Sequence, residues 1–475
     1  MKLKPYPKYR DSGVPWLGDV PEHWEIKALR TILKQRNEKN DPIKTEQILS
    51  LSIAHGVTLY SHEGRGGNKS KGDLTAYKIA IAGDIVLNSM NVVVGAVGLS
   101  KHTGAISPVY YALHPISDEI DIRFYEKIFK NKFFQKFLMI YGKGILIKKS
   151  STGKFNTIRM KISSNDLKGT VLPLPPLCEQ QQIARYLDWK TAQINKFIRN
   201  KRRLIQLLKE QKQNIINQAV TKGINPNVEM KDSGVEWLGQ IPAHWEVRRL
   251  KYISSVNKET LPDSTDPDYL FYYVDIGCVS TGTISKKLEL LKYSNAPSRA
   301  RRVVSKGDTI ISTVRTYLKA IYHFEHDVND IIVSTGFAVF TPVGIYPKML
   351  GYLLRFDGFI DQVIRLSVGA SYPAVNTEHL CTIPVAFPED VHEQELIIDY
   401  IENKTASIDK AIARTEREIE LIQEYRTRLI SDVVTGKLDV RGIEVPEVIE
   451  ELLMDDEDLT EVDDIMEDEE IDEEE

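Results

Sequence analysis

The sequence predicts an α+β chain in which one strand-rich globular module and one long helix occur twice in succession. Three observations carry this. DSGVPWLGDVPEHW (Asp11–Trp24) returns as DSGVEWLGQIPAHW (Asp232–Trp245), with ten of fourteen positions identical. Self-similarity at a fixed period is the mark of a repeated structural unit. Segments rich in β-branched and aromatic residues recur in the same order inside each copy, as strands would. Each copy closes on a stretch free of Gly and Pro, Glu179–Val220 and Glu393–Val434, with apolar residues at heptad spacing.

After the first match, at an offset of 221 residues, GDIVLNSM (Gly83–Met90) pairs with GDTIISTV (Gly307–Val314) at 224. ISPVYYALHP (Ile106–Pro115) pairs with VSTGFAVFTP (Val333–Pro342) at 227. The offset falls to 211 at Leu172–Pro173 against Ile383–Pro384 and settles at 214 for Glu179–Lys196 against Glu393–Lys410. The first copy holds sixteen extra residues around GKGILIKKSSTGKFN (Gly142–Asn156). Its Gly, Ser and Lys content reads as a basic loop. Framework segments match while polar connections diverge, as expected of two modules that share a scaffold and bind different things.

The closing helices carry one seam. Ile194, Ile198, Ile205, Leu208 and Ile215 step by 4, 7, 3 and 7, and so do Ile408, Ile412, Ile419, Ile422 and Leu429. Leu187 and Ile401 extend it; Lys201, Lys212 and Arg426 interrupt it. A seam so long and narrow predicts that the helices pack on each other. LPLPPL before the first helix, and Gly223 and Gly436 after the two, are boundary signals.

The 475 residues are 42% hydrophobic and 27% charged, which suits globular domains with real cores. No apolar run is long enough to span a bilayer. MKLKPYPKYR lacks the apolar core of a signal peptide. Cys178, Cys278 and Cys381 lie too far apart to suggest a disulfide framework or a metal site, and the expected compartment is the cytoplasm. The net charge of −5 conceals an asymmetry: 19 acidic and no basic residues fill Glu444–Glu475, so the remainder carries +14. A basic body points to a polyanionic partner. The tail is expected to be flexible, and competition with a polyanion for basic surface is one role it could serve.

Catalytic signatures are missing. GGNKS (Gly66–Ser70) lacks the first glycine of a phosphate loop. Glu25 and Lys27, like Glu246 and Arg248, read as structural ion pairs. His23–Trp24 and His244–Trp245 read as a shared packing corner. There is no H-E-x-x-H, C-x-x-C or G-x-S-x-G. The expectation is a binding subunit, not an enzyme.

The G-V-x-W-L-G-x-[VI]-P-x-H-W-E signature, the GD-led strand and the EQ-led long helix, each present twice, resemble the specificity subunit of type I restriction-modification enzymes over residues 1–440. The resemblance implies two target-recognition domains (1–178 and 223–392), separated by two long helices (179–222 and 393–440) that pack antiparallel as a coiled coil. The acidic tail, 441–475, follows. Each domain would read half of an asymmetric, bipartite site in double-stranded DNA. The helices would set the spacing and dock two methyltransferase subunits, and restriction subunits would join the full complex. S-adenosylmethionine, ATP and Mg would belong to those partners, with no cofactor or metal in this chain. Readers of DNA need Lys or Arg for phosphates and Arg, Asn, Ser, Thr or Tyr for base edges. Candidates in the first module are Arg65, Asn68, Lys69, Lys71, Asn88, Asn91, Lys148, Lys149 and Ser151. In the second they are Arg299, Arg301, Arg302, Arg315, Tyr317, Ser371, Tyr372 and Asn376. Asn88 and Arg315 follow equivalent strands. Other readings are the recognition subunit of a related multisubunit type II enzyme, a non-specific DNA-binding scaffold, and an enzyme fused to recognition modules; the last has little chain left for a catalytic domain.

Overall fold

The computed structural model describes residues 3–53, 55–60, 73–149, 155–284, 288–328, 330–369 and 372–446, with the side chains of 144–159 outside the description. The chain divides into two compact units, 1–203 with 416 onward, and 204–415. The division cuts both long helices, Leu177–Lys222 and Val391–Val434. Each unit therefore takes the first part of one helix and the last part of the other, where the sequence suggested globular modules that end at 178 and 392. Packing causes the difference, because helix ends supply core to the modules.

In the first unit the signature folds into a small corner. Tyr9–Asp11 pairs antiparallel with Asp19–Pro21. The turn between them closes through Gly13 N–H donating to Asp11 Oδ1 at 2.9 Å. Gly13 and Gly18 supply the left-handed φ angles that L side chains resist. Trp24 is 1% exposed and donates its indole N–H to Glu179 Oε2 at 3.0 Å. His23 Nε2 lies 2.7 Å from Glu179 Oε1. Gly436, left-handed at φ +76, seats against Pro21 and Trp24, where a Cβ would come within 2.4 Å of the proline ring. The glycine that ends the second helix thus packs on the tryptophan whose partner opens the first.

The second unit repeats this corner. Trp245 donates to Glu393 Oε1 at 3.0 Å, His244 sits 2.8 Å from Glu393 Oε2, and Gly223 packs on Trp245. The next residue of each EQ pair is a clamp. Gln180 accepts from Asp121 N–H at 2.9 Å and donates to Pro175 C=O at 2.8 Å. Gln394 accepts from Tyr346 N–H at 2.8 Å and donates to Pro388 C=O at 2.7 Å. Both glutamines are fully buried, and their polar atoms tie the long helix to the start of a module helix. Glu25 with Lys27 and Glu246 with Arg248 form ion pairs 2.6 Å apart.

A four-stranded antiparallel sheet stands at the centre of each unit. Its order is Leu33–Arg36, Tyr110–Pro115, Ile85–Asn88, Val97–Leu99 in the first. In the second it is Ser254–Val256, Phe337–Pro342, Thr309–Ser312, Ile321–His323. The GD-led strands are buried throughout, Ile85–Asn88 and Thr309–Ser312. The second unit adds another four-stranded sheet, with Leu270–Val274 parallel to Ile331–Ser334. Gly142–Asn156, expected as a loop, instead contributes strand Lys143–Lys149, which pairs with Phe155–Lys161 as a hairpin. Gly142 and the serines drew that reading, but ILIKK and FNTIRMK have strand composition. In the second unit the same position is a short connection bridged by Val368 and Ala374.

The helices run antiparallel within each unit. In the first, Arg426 donates to Asn195 Oδ1 at 2.8 Å and Lys201 meets Glu418 at 2.7 Å. In the second, Lys212 meets Asp409 at 2.6 Å. The three charges that interrupt the seam therefore find partners across it. Leu187, Ile194, Ile198, Ile401, Ile408 and Leu429 are buried, while Ile205, Leu208, Ile412, Ile419 and Ile422 are half-buried. Ile215 is half-buried too, and its neighbour Ile216 takes the buried place. The one-residue shift has a visible cause. Gly223 and Gly436 match at an offset of 213 rather than 214, so near the helix ends Ile216 is the repeat counterpart of Leu429. The second helix ends at Val434, short of 440, because the chain turns left-handed at Gly436.

Candidate nucleic-acid interface

The central strands of the two units lead into equivalent loops. Ile85–Asn88 is followed by a 3-10 turn, Val92–Val94, that starts at Asn91. Thr309–Ser312 is followed by Thr316–Leu318, which starts at Arg315. The same backbone bond ties both loops down: Ile162 N–H donates to Ser89 C=O at 3.0 Å, and Val375 N–H to Thr313 C=O at 2.8 Å. Asn91 is therefore the counterpart of Arg315. Asn88 corresponds to Ser312, is 9% exposed, and uses its side-chain oxygen to accept Met90 N–H at 3.0 Å. That placement makes Asn88 a turn-former facing the interior.

In the second unit three further segments join this loop. Arg315 N–H donates to Pro373 C=O, Thr313 N–H to Gly336 C=O and Thr335 N–H to Arg299 C=O, each at 2.8 Å. Arg299, Arg315, Tyr317 and Tyr372 thus sit on segments linked by main-chain bonds. The Arg315 guanidinium lies over the Tyr372 ring, 4.8 Å from its centroid. Tyr317 and Tyr372 are 49% and 56% exposed, so both rings remain open to a ligand, and Arg315 is half-buried. Arg315 and Lys319 flank the turn with φ of 51° and 52°, left-handed values that cost a non-glycine residue on the order of 1 kcal/mol. The surrounding backbone bonds hold them there. Lys319 was not among the candidates drawn from the sequence; its signal was a basic residue four positions after Arg315.

The other candidates are dispersed. Arg301 and Arg302 are neighbours on strand Ala300–Val303, where the pairing register shifts between Ala300 and Arg302, and they hold different partners. Arg301 stacks on Tyr293 at 4.9 Å, and Arg302 donates to Thr260 Oγ1 at 3.2 Å. Asn376 is exposed and caps helix Thr377–Thr382, accepting Glu378 N–H at 3.0 Å. Lys148 and Lys149 lie on the first unit's hairpin. Arg65, Asn68, Lys69, Lys71, Ser151 and Ser371 lie outside the described residues.

Among the described residues no group of three or more His, Cys, Asp or Glu could hold a metal ion. No helix among them is long and apolar enough to cross a membrane. An Arg over an exposed aromatic, with a second open ring and a Lys nearby, suits recognition of a polyanion with planar groups.

No family model matches the chain. Curated proteins do. It is 22% identical over 436 residues to the type I restriction enzyme MjaVIII specificity subunit of Methanocaldococcus jannaschii, covering 89% of this chain and 95% of that one. It is 24% identical over 466 residues to the putative type I restriction enzyme MjaX specificity subunit of the same organism, covering 90% and 96%. Among solved structures, a chain from a study of complex assembly and conformational transition in the type I restriction-modification system superposes with a TM-score of 0.60 at 13% identity. That match covers 88% of this chain and 99% of the other, and the fold is shared. Along about nine-tenths of its length this chain is therefore similar to proteins named as type I restriction enzyme specificity subunits.

Proposed function

We propose that the chain is the non-catalytic DNA-specificity subunit of a type I restriction-modification complex, in which each unit reads one half of an asymmetric, bipartite site. The observation that carries this reading is the repeated loop. One backbone bond presents Asn91 in the first unit and Arg315 in the second. A shared scaffold with an amide in one copy and a guanidinium in the other suits two different half-sites, since Asn pairs with adenine edges and Arg with guanine edges. The basic body, +14 without the tail, would supply the phosphate contacts that position each unit.

The long helices, 46 and 44 residues, would fix the distance between half-sites and offer docking surfaces to two methyltransferase subunits, with restriction subunits joining them. Methylating a base inside a duplex requires flipping it out. That chemistry, with its S-adenosylmethionine, belongs to the partners, as do ATP and Mg. The setting is the cytoplasm. This chain's own contribution is placement.

The test is binding by the purified chain, alone and with a candidate methyltransferase subunit from the same host, to a randomised duplex library. Enrichment of one gapped, asymmetric motif is expected. Binding without sequence preference would leave only a scaffold, and methylation or cleavage by the chain alone would make it an enzyme.

A further inference from the structure

We infer that the acidic C-terminal segment docks on the unit it leaves, laying its first apolar residues into a groove on the two long helices. The groove has a volume of about 840 Å³ and belongs wholly to the first unit. Its apolar lining includes Tyr186, Trp189, Tyr425, Leu429 and Ile443. Tyr425 is 45% exposed, and the Trp189 and Tyr186 rings stand 6.0 Å apart. Rings gathered along one groove, rather than scattered singly, mark a place for an apolar partner segment.

Three observations name the occupant. The first is continuity. Gln182 Nε2 donates to Val440 C=O at 3.0 Å and to Ile443 C=O at 2.7 Å, strapping the chain along the first helix until Glu444 itself lines the groove. Val445 packs against the first unit's core, and the apolar residues after it are Val448, Ile449, Leu452, Leu453 and Met454, so the tether is only a few residues long and the effective concentration is high.

The second is asymmetry. At the repeat offset of 214, Trp189 corresponds to Asn403, and Tyr425 falls opposite Gln211, or Lys212 with the one-residue shift. The second unit's helix pair keeps Tyr400 in the place of Tyr186 but lacks the rings of Trp189 and Tyr425. It also lacks a tail, because after Gly223 the chain passes directly into the second signature. Groove and tail occur on the same unit. A partner that docks once on each unit would need the lining twice.

The third is charge. Lys190 rides over the Trp189 ring at 5.3 Å, and the Arg428 side chain is 84% exposed with its Nε 3.4 Å from Asp432, which also lines the groove. These cations border the groove, while Glu447, Glu450 and Glu451 alternate with the tail's apolar residues. The tail on this account is a strap held by apolar contact, rather than a polyanion covering a DNA-binding face.

The experiment uses the full chain with a photoreactive benzoylphenylalanine in place of Leu452, irradiated at low concentration and mapped by peptide mass. Capture within one molecule, on peptides that contain Tyr186–Lys190 or Tyr425–Asp432, is expected. The double substitution Trp189→Asn with Tyr425→Gln installs residues the other helix pair already carries, and should lower that yield at least fivefold. Ile449→Asp with Leu453→Asp changes only the tail and should lower it equally, which keeps the test decisive even if the helix variant fails to fold. Capture only between molecules, capture elsewhere, no capture, or a yield unchanged by the tail substitutions would overturn the proposal.

Discussion

Glu179 and Glu393 illustrate how one side chain can serve a repeat. Each stands in the first turn of a long helix and receives the indole N–H of a buried tryptophan. Replacing Glu393 with Ala should leave the Trp245 N–H unsatisfied and destabilise the second unit by roughly 1–3 kcal/mol, read as a lower urea midpoint. His323 sets a pH dependence in the same unit. Burial first, and the neighbouring Arg355 cation second, depress its pKa to about 4, with Lys348 acting the same way and Glu325 opposing. A histidine neutral when folded and protonated when unfolded stabilises the fold above its unfolded pKa, near 6.5. That contribution is lost as pH falls from there towards about 4, at up to about 1.4 kcal/mol per pH unit. His323→Gln should flatten the fall in stability between pH 6.5 and 4. At the candidate interface, Arg315→Ala should relax discrimination at one base position; uniform weakening across sequences would assign Arg315 to a phosphate. The sequence could nominate Arg315 by type and position, yet its stacking on Tyr372 depends on a connection more than fifty residues away. Asn88 shows the converse: a polar residue after a strand looks like a reader until burial turns it inward.

At the scale of elements, the helices were legible because heptad spacing survives the interruptions, and those interruptions are ion pairs and a hydrogen bond across the seam. The hairpin Lys143–Lys161 was not, since glycine and serine at its ends outweighed the strand composition between them. The shift from Ile215 to Ile216 was hidden for a related reason, a one-residue difference just before the terminal glycines. If the helices measure the gap between half-sites, four residues added to each would lengthen them by about 6 Å, nearly two base pairs. A recognised motif whose gap stays unchanged would remove the ruler from the account.

For the whole molecule, duplication was the most legible property, because ten identities in fourteen positions are hard to place by chance. The partition into units was less so: each draws its core from both helices, a tertiary fact that no local pattern encodes. Two units with one scaffold and unlike loops lead to the central claim of one asymmetric target per chain. A genome-wide methylation map of the host, with this gene present and deleted, tests it most directly. The account predicts that deletion erases one motif with two different halves and a fixed gap. A map with every such motif intact, in a host whose partner methyltransferase is expressed, would contradict it.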